Sequence, residues 1–155
     1  MKRRLFALLA AAALLFAVAL TKAGASGDGR PLHEVRGQGV VQLSPPDGAV
    51  YVVSINAWQD ETGVYGIATW LNEFPLGGNP EYSGWQWVID VDTLIMLSDN
   101  EVRVEGVIVQ DNKFPEWTEG DRISIGRVKD NGQGAADPPD EIFGVPIYGG
   151  NFIVR

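Results

Sequence analysis

Four carboxylates, Asp130, Asp137, Asp140 and Glu141, fall with Asn131 inside the stretch VKDNGQGAADPPDEI, Val128 to Ile142. So many oxygens in so short a span suit a hard cation, because calcium takes six to eight oxygen ligands at about 2.3–2.6 Å. Asp130, Asn131, Asp137, Asp140 and Glu141 could supply five side chains, with backbone carbonyls for the remainder. A structural calcium is therefore the one cofactor candidate. The spacing is not that of an EF-hand. Pro138-Pro139 favours an extended segment that sets Asp137 and Asp140 roughly 9 Å apart along its axis, so one ion is shared only if the chain folds back. A loop reading demands less. Asp-Asn-Gly tolerates positive φ and caps its own amides, Asp137 is pushed extended by the proline after it, and the paired prolines stiffen the return into a strand at Glu141 and limit edge pairing.

Other chemistries have fewer parts. The single histidine, His33, and the absence of cysteine leave no zinc site of ordinary composition. A Ser-His-Asp triad would need His33 to dock from outside the main domain, and no G-x-S-x-G elbow is present. No phosphate-cradling glycine loop occurs. Two carboxylates suffice for a glycosidase, and Asp90 and Asp92 would share one strand face roughly 6–7 Å apart. Acids on a solvated outer face are the default for such a pair. Aromatic rings offer a different chemistry. Phe74 and Tyr82 in NEFPLGGNPEYSG, and Trp117 in KFPEWTEGD, sit in two long loops, where exposed rings supply amphipathic stacking surfaces for a ligand. The alternative is that they cap the ends of the fold.

The elements that must carry these residues are strands. From residue 37 onward, β-rich runs alternate with clusters of Gly, Pro, Asn and Asp, without a helical period. Strands are expected at Gly39–Leu43, Val50–Trp58, Val64–Leu71, Trp85–Leu97, Glu101–Gln110, Arg122–Lys129, Glu141–Val145 and Ile147–Val154. A two-residue turn at Asp99-Asn100 would set Leu97 against Val102, Ile95 against Val104, Thr93 against Gly106 and Val91 against Ile108. That face is nearly all apolar and continues through Ile89, Trp87 and Trp85, while Asp90, Asp92, Arg103 and Glu105 face out. The expected fold is all-β, an antiparallel barrel of about eight strands in which the terminal FIVR pairs with GVVQL; a two-sheet β-sandwich is the alternative. Trp85 and Trp87 belong to the core, whereas the facing of Trp58 and Trp70 stays open.

The first residues give an address. Lys2, Arg3 and Arg4 precede an uncharged run from Leu5 to Leu20, and Ala23-Gly24-Ala25 has the form of a secretory cleavage site. The run is shorter than the roughly 20 residues that usually span a bilayer. The expected organisation is a signal peptide over 1–25, a flexible arm over 26–36 and one β-domain over 37–155. Cleavage would remove four of twelve basic residues and none of twenty acids, taking the net charge from −8 to −12. Such a surface repels phosphate backbones and anionic membranes, so nucleic acid is not an expected partner and no stable membrane insertion follows cleavage. Charged residues at 90, 92, 103 and 105 would also be out of place on a lipid-facing band.

The runs SINAWQDETGVYGIATW, DVDTLIMLSDNEVRVEGVI and GDRISIGRVKDNGQGAADPPDEI together resemble uncharacterised secreted bacterial β-domains of the post-COAP type. These share a G-N-x-A-x-V-x-G hairpin followed by V-x-D-N-G-x-G and P-D. The likeness runs from Val50 to Phe143 and is most specific from Val128 to Asp140. Thr93 stands where such sequences often carry a cysteine, so a fold-closing disulfide is missing. The resemblance implies secretion and an all-β fold, and it implies no catalytic residue. With the export signal and the lack of a nucleophile–base pair, the expectation is a non-enzymatic β-domain, secreted or in the periplasm or cell envelope. It would be a binding module or an envelope-associated structural protein whose partner is a small molecule, a glycan or an envelope component. A carboxylate-dependent hydrolase such as a glycosidase is the alternative.

Overall fold

The computed structural model describes residues 31–42, 49–72, 84–112, 117–132 and 137–155. The expected signal peptide, Phe74 and Tyr82 lie outside the described residues. Nine strands follow in chain order: β1 (His33–Gln42), β2 (Val50–Asp60), β3 (Gly63–Asn72), β4 (Gln86–Ser98), β5 (Glu101–Asn112), β6 (Arg122–Lys129), β7 (Glu141–Ile142), β8 (Val145–Pro146) and β9 (Gly149–Val154). All pair antiparallel in one sheet of order β8-β7-β6-β5-β4-β3-β2-β1-β9. The two edge strands, β8 and β9, are separated in sequence only by Ile147 and Tyr148. Consecutive Cα atoms are about 3.8 Å apart, so so short a link forces the edges together and the sheet must curl. The fold is accordingly all-β and barrel-like, and the single continuous sheet replaces the sandwich alternative. β9 pairs with β1 as expected, but in a different register: Phe152, Ile153 and Val154 stand opposite Gly37, Arg36 and Val35, while Gly39 and Val40 of GVVQL face Gly150 and Gly149.

Strand alternation builds the interior. Along β2, Tyr51, Val53, Ile55 and Ala57 are buried and point the same way, as a period of two requires. Val35, Ala68, Ile89, Val104, Ile125, Ile142 and Phe152 bring β1, β3, β4, β5, β6, β7 and β9 into the same cluster, and Val145 of β8 packs against it. Two boundaries differ from expectation. β1 begins at His33, so residues 33 to 36 belong to a strand in which His33 stands opposite Gln59, and the flexible arm does not reach 36. The segment expected as one strand over Glu141–Val145 is a tight hairpin turned by Phe143 and Gly144, both at positive φ (58° and 76°). Positive φ at both central residues is what a two-residue hairpin turn of this hand needs, although phenylalanine is an unusual occupant.

The β4–β5 register also differs. The turn is at Asp99-Asn100, with Ser98 opposite Glu101, but an irregularity between Met96 and Ser98 pushes Leu97 out to solvent. Met96 then faces Val102 and Leu94 faces Val104, so Leu94 and Met96, not Ile95 and Leu97, point inward. A second irregularity between Val91 and Thr93 leaves Asp92 without an opposite residue and returns Val91, Ile89, Trp87 and Trp85 to the interior. Bulges of this kind bend and twist the bulged strand, which helps a sheet to curl.

Candidate functional site

Two places in the curled sheet gather side chains with chemistry: the seam where its edges meet, and the end where the aromatics collect.

At the seam no strand ladder joins β9 to β6, β7 or β8. Arg155 exchanges both backbone bonds with Glu34 of β1, so in this ladder the N–H groups of Phe152 and Val154 point the other way, toward β6 and β7. Carboxylates receive them. Asp140, only 4% exposed, accepts from the Phe152 N–H with Oδ2 (2.6 Å) and from the Asn131 N–H with Oδ1 (2.8 Å). Asp130 accepts from the Val154 N–H with Oδ2 (3.2 Å) and from the Gly132 N–H with Oδ1 (2.8 Å). The loop that presents them is tied at both ends. Asn131 donates through Nδ2 to the Pro139 carbonyl (2.8 Å) and to Glu141 Oε1 (3.3 Å). Asn100 donates through Nδ2 to the Asp130 carbonyl (2.8 Å), while the Asp130 N–H donates to the Asn100 carbonyl (2.9 Å). Unpaired edge groups invite foreign strands; here two acids take the place of a neighbouring strand.

Of the five residues expected as calcium ligands, Asn131 is hydrogen-bonded to both Asp140 and Glu141, and Asp130 precedes it in the same turn. What brings them together is backbone capping. Asp140 and Asp130 each commit both oxygens to N–H donors, and Asn131 holds the loop's return. Asp137 lies beside Gly132, where a Cβ on the glycine would overlap its carboxylate. Among the described residues, no group of three or more His, Cys, Asp or Glu is arranged to hold a metal.

The acids weighed for hydrolysis are arranged otherwise. Asp92, at its bulge, takes a bidentate grip from Arg122, Nη1 to Oδ2 at 2.8 Å and Nη2 to Oδ1 at 2.9 Å, and accepts from the Thr93 hydroxyl. Hydrogen bonding from Arg122 holds the Asp92 carboxyl below its ordinary value, so it stays ionised and engaged. Asp90 stands on β4 between Ile67 of β3 and Val107 of β5.

The aromatic end is set by chain direction. The start of β2 (Tyr51), the end of β3 (Trp70), the start of β4 (Trp85, Trp87) and the residues before β6 (Trp117) all lie at one end of the sheet. Trp70 stands opposite Val53 and Trp87, which fixes it on the inward face; Trp58 is on the outward face, tilted against Tyr65 at 6.3 Å. The rings form a chain. Tyr51 meets Trp70 edge-on at 5.5 Å and Trp85 at 6.0 Å; Trp70 meets Trp87 at 6.0 Å; Trp85 meets Trp87 at 4.3 Å. Phe143 reaches across from the β7–β8 turn to Trp70, centroids 5.1 Å apart. Its ring occupies the space over Gly126, where a Cβ would collide with it, and this packing offsets the left-handed backbone at Phe143. Trp117 lies nearly parallel to Trp87, 13° and 5.6 Å, and remains 40% exposed. The Trp70 indole N–H is buried without a hydrogen-bond partner among the described residues. Buried donors are usually satisfied, so such an atom calls for a reason.

Of the expected loop aromatics, Trp117 joins this cluster through Trp87, and Trp70 and Phe143 extend it beyond what the loops alone suggest. The Phe-Gly dipeptide at 143–144 was the available signal. No family model, no curated protein and no solved structure matches this chain.

Proposed function

We propose that this chain is a secreted, non-enzymatic ligand-binding β-domain whose binding surface is the aromatic end of the curled sheet. The observation that carries the reading is the Trp87–Trp117 stack. A half-exposed indole held parallel to a buried one presents a flat, pre-positioned face, and its ordering does not have to be paid for on binding. Two features support it. The Trp70 N–H is a buried donor that a ligand oxygen could satisfy. Phe143 keeps an unfavourable backbone conformation in order to complete the same cluster, and strain of this kind collects at functional sites. The ligand class that fits is one with an apolar or ring face and an acceptor, such as a sugar or an amphipathic small molecule. Export rests on the basic start and apolar run ahead of Ala25.

Titrating tryptophan fluorescence against a panel of glycans and lipids tests this. A saturable change that Trp117→Ala abolishes supports the reading. A silent panel favours a structural role in the envelope. Turnover of a glycan that disappears when one Asp or Glu becomes its amide would replace it with the hydrolase.

A further inference from the structure

A second surface lies on the seam, where the two edges of the sheet meet. An open groove of about 410 Å³ runs between the acidic loop and the start of β9, with Asp137, Pro138 and Pro139 on one wall and Tyr148 to Asn151 on the other. Its volume falls within the range of ligand sites, roughly 300–1,000 Å³. Tyr148 is 75% exposed, and its backbone is anchored where its N–H donates to the Val40 carbonyl at 2.8 Å. The opposite wall is fixed as well, since Pro139 and Asp140 are tied to Asn131 and Asp140 to Phe152.

The two glycines in the Tyr148–Asn151 wall differ in a way that matters. Gly150 is required by the fold: its φ is +98°, and a Cβ would overlap the Gln38 carbonyl. Gly149 has no such reason. Its φ lies outside the left-handed region, and a Cβ there would meet nothing within 4 Å. The space that its missing side chain leaves open is the groove.

We infer that this groove binds a neutral saccharide, with a sugar ring lying against Tyr148 and hydroxyls reaching Asp137 and Asn151. Among the described residues, no Lys, Arg or His lines the groove, which disfavours anionic ligands. Its carboxylates already serve the protein: Asp140 holds two N–H groups and Asp137 has an internal partner, so the site is not organised around a cation. An ionised carboxylate still has lone pairs for further hydroxyl donors. Polyproline peptides dock in grooves lined by several aromatics, and among the described residues Tyr148 is the one aromatic here. This inference is independent of the aromatic-end reading.

The test is a titration of the isotopically labelled protein with cellohexaose, maltohexaose and chitohexaose, and with decaproline, followed by amide resonances. At least one hexasaccharide should move the resonances of Asp137 and of Tyr148 to Asn151. Tyr148→Ala and Gly149→Leu should each weaken that binding by roughly tenfold or more, with unchanged melting temperature for Tyr148→Ala, while Trp117→Ala leaves it intact. The inference is overturned if no hexasaccharide moves those resonances at millimolar concentration, if binding survives Tyr148→Ala, or if decaproline alone binds there. Binding that Trp117→Ala removes and Tyr148→Ala spares would assign the sugar to the aromatic end instead.

Discussion

Replacing Asp140 by Asn changes one oxygen for an amide group and nothing in volume, which makes it a clean probe of the seam. In the native fold the carboxylate accepts two backbone N–H groups, from Phe152 at 2.6 Å and Asn131 at 2.8 Å, and is 4% exposed. Asparagine keeps one acceptor and turns its NH₂ toward the other N–H, so one buried donor is opposed by another donor. An unsatisfied buried group costs about 1–3 kcal/mol, and a hydrogen bond to a charged group contributes about 1.5–3 kcal/mol. The expected loss is about 2–4 kcal/mol for Asp140→Asn and about 3–5 kcal/mol for Asp140→Ala, which orphans both donors. Against a typical total of about 5–15 kcal/mol, either change is large. Urea unfolding followed by tryptophan fluorescence gives the difference directly, provided the slope with denaturant is unchanged. Asp130→Asn should cost less, about 1–2 kcal/mol, because its bond to Val154 is longer (3.2 Å) and only partly buried. If Asp140→Asn unfolds within about 0.5 kcal/mol of the parent, a value usual for surface changes, the carboxylate does not hold the seam.

Three further expectations follow from the same geometry. Gly126→Ala should cost about 2–4 kcal/mol, since it combines positive φ with a collision against Phe143, whereas Gly149→Ala should be neutral or stabilise by up to about 1 kcal/mol; equal effects in urea unfolding would contradict the packing described. Arg122 depresses the Asp92 carboxyl, so the folded state releases that proton more readily than the unfolded chain. The resulting stabilisation is present above the ordinary value of 3.8 and disappears as pH falls through the lower folded value. In Arg122→Gln the fall in stability from about pH 5 downward should be shallower, and an identical slope would argue against the pairing. Because the seam carboxylates serve backbone amides, millimolar calcium or chelator should leave the melting temperature within about 1 °C; a rise of several degrees would show an ion bound to the native loop.

Much of this architecture could be read from the residues. β6 runs over Arg122–Lys129 as the alternation of Ile123 and Ile125 with polar neighbours indicates, and Asp99-Asn100 turns the hairpin expected of two residues that accept positive φ. The bulge at Asp92 was hidden because Leu94, Ile95, Met96 and Leu97 are all apolar, so the sequence carries no phase there. A run of that kind fits either register, and only the Asp92-Thr93 polar pair hints at a slip. The five polar residues of the 130–141 loop were legible as a cluster, but their purpose was not. Their partners are backbone amides 12 and 24 residues further along, and an amide carries no signature of its own in a sequence. The Phe143-Gly144 turn was missed for a related reason: phenylalanine is seldom left-handed, and here Trp70 and the bare Gly126 compensate it.

Amide hydrogen exchange along β9 tests the carboxylate seam most directly. Asn151 and Ile153 face β1, and Phe152 and Val154 face Asp140 and Asp130. In the native protein all four amides should exchange slowly. Asp140→Asn should release Phe152, and Asp130→Asn should release Val154, while Asn151 and Ile153 keep their protection. Free exchange of Phe152 and Val154 in the native protein would mean that the edge of β9 is open, and that the two acids do not close the sheet.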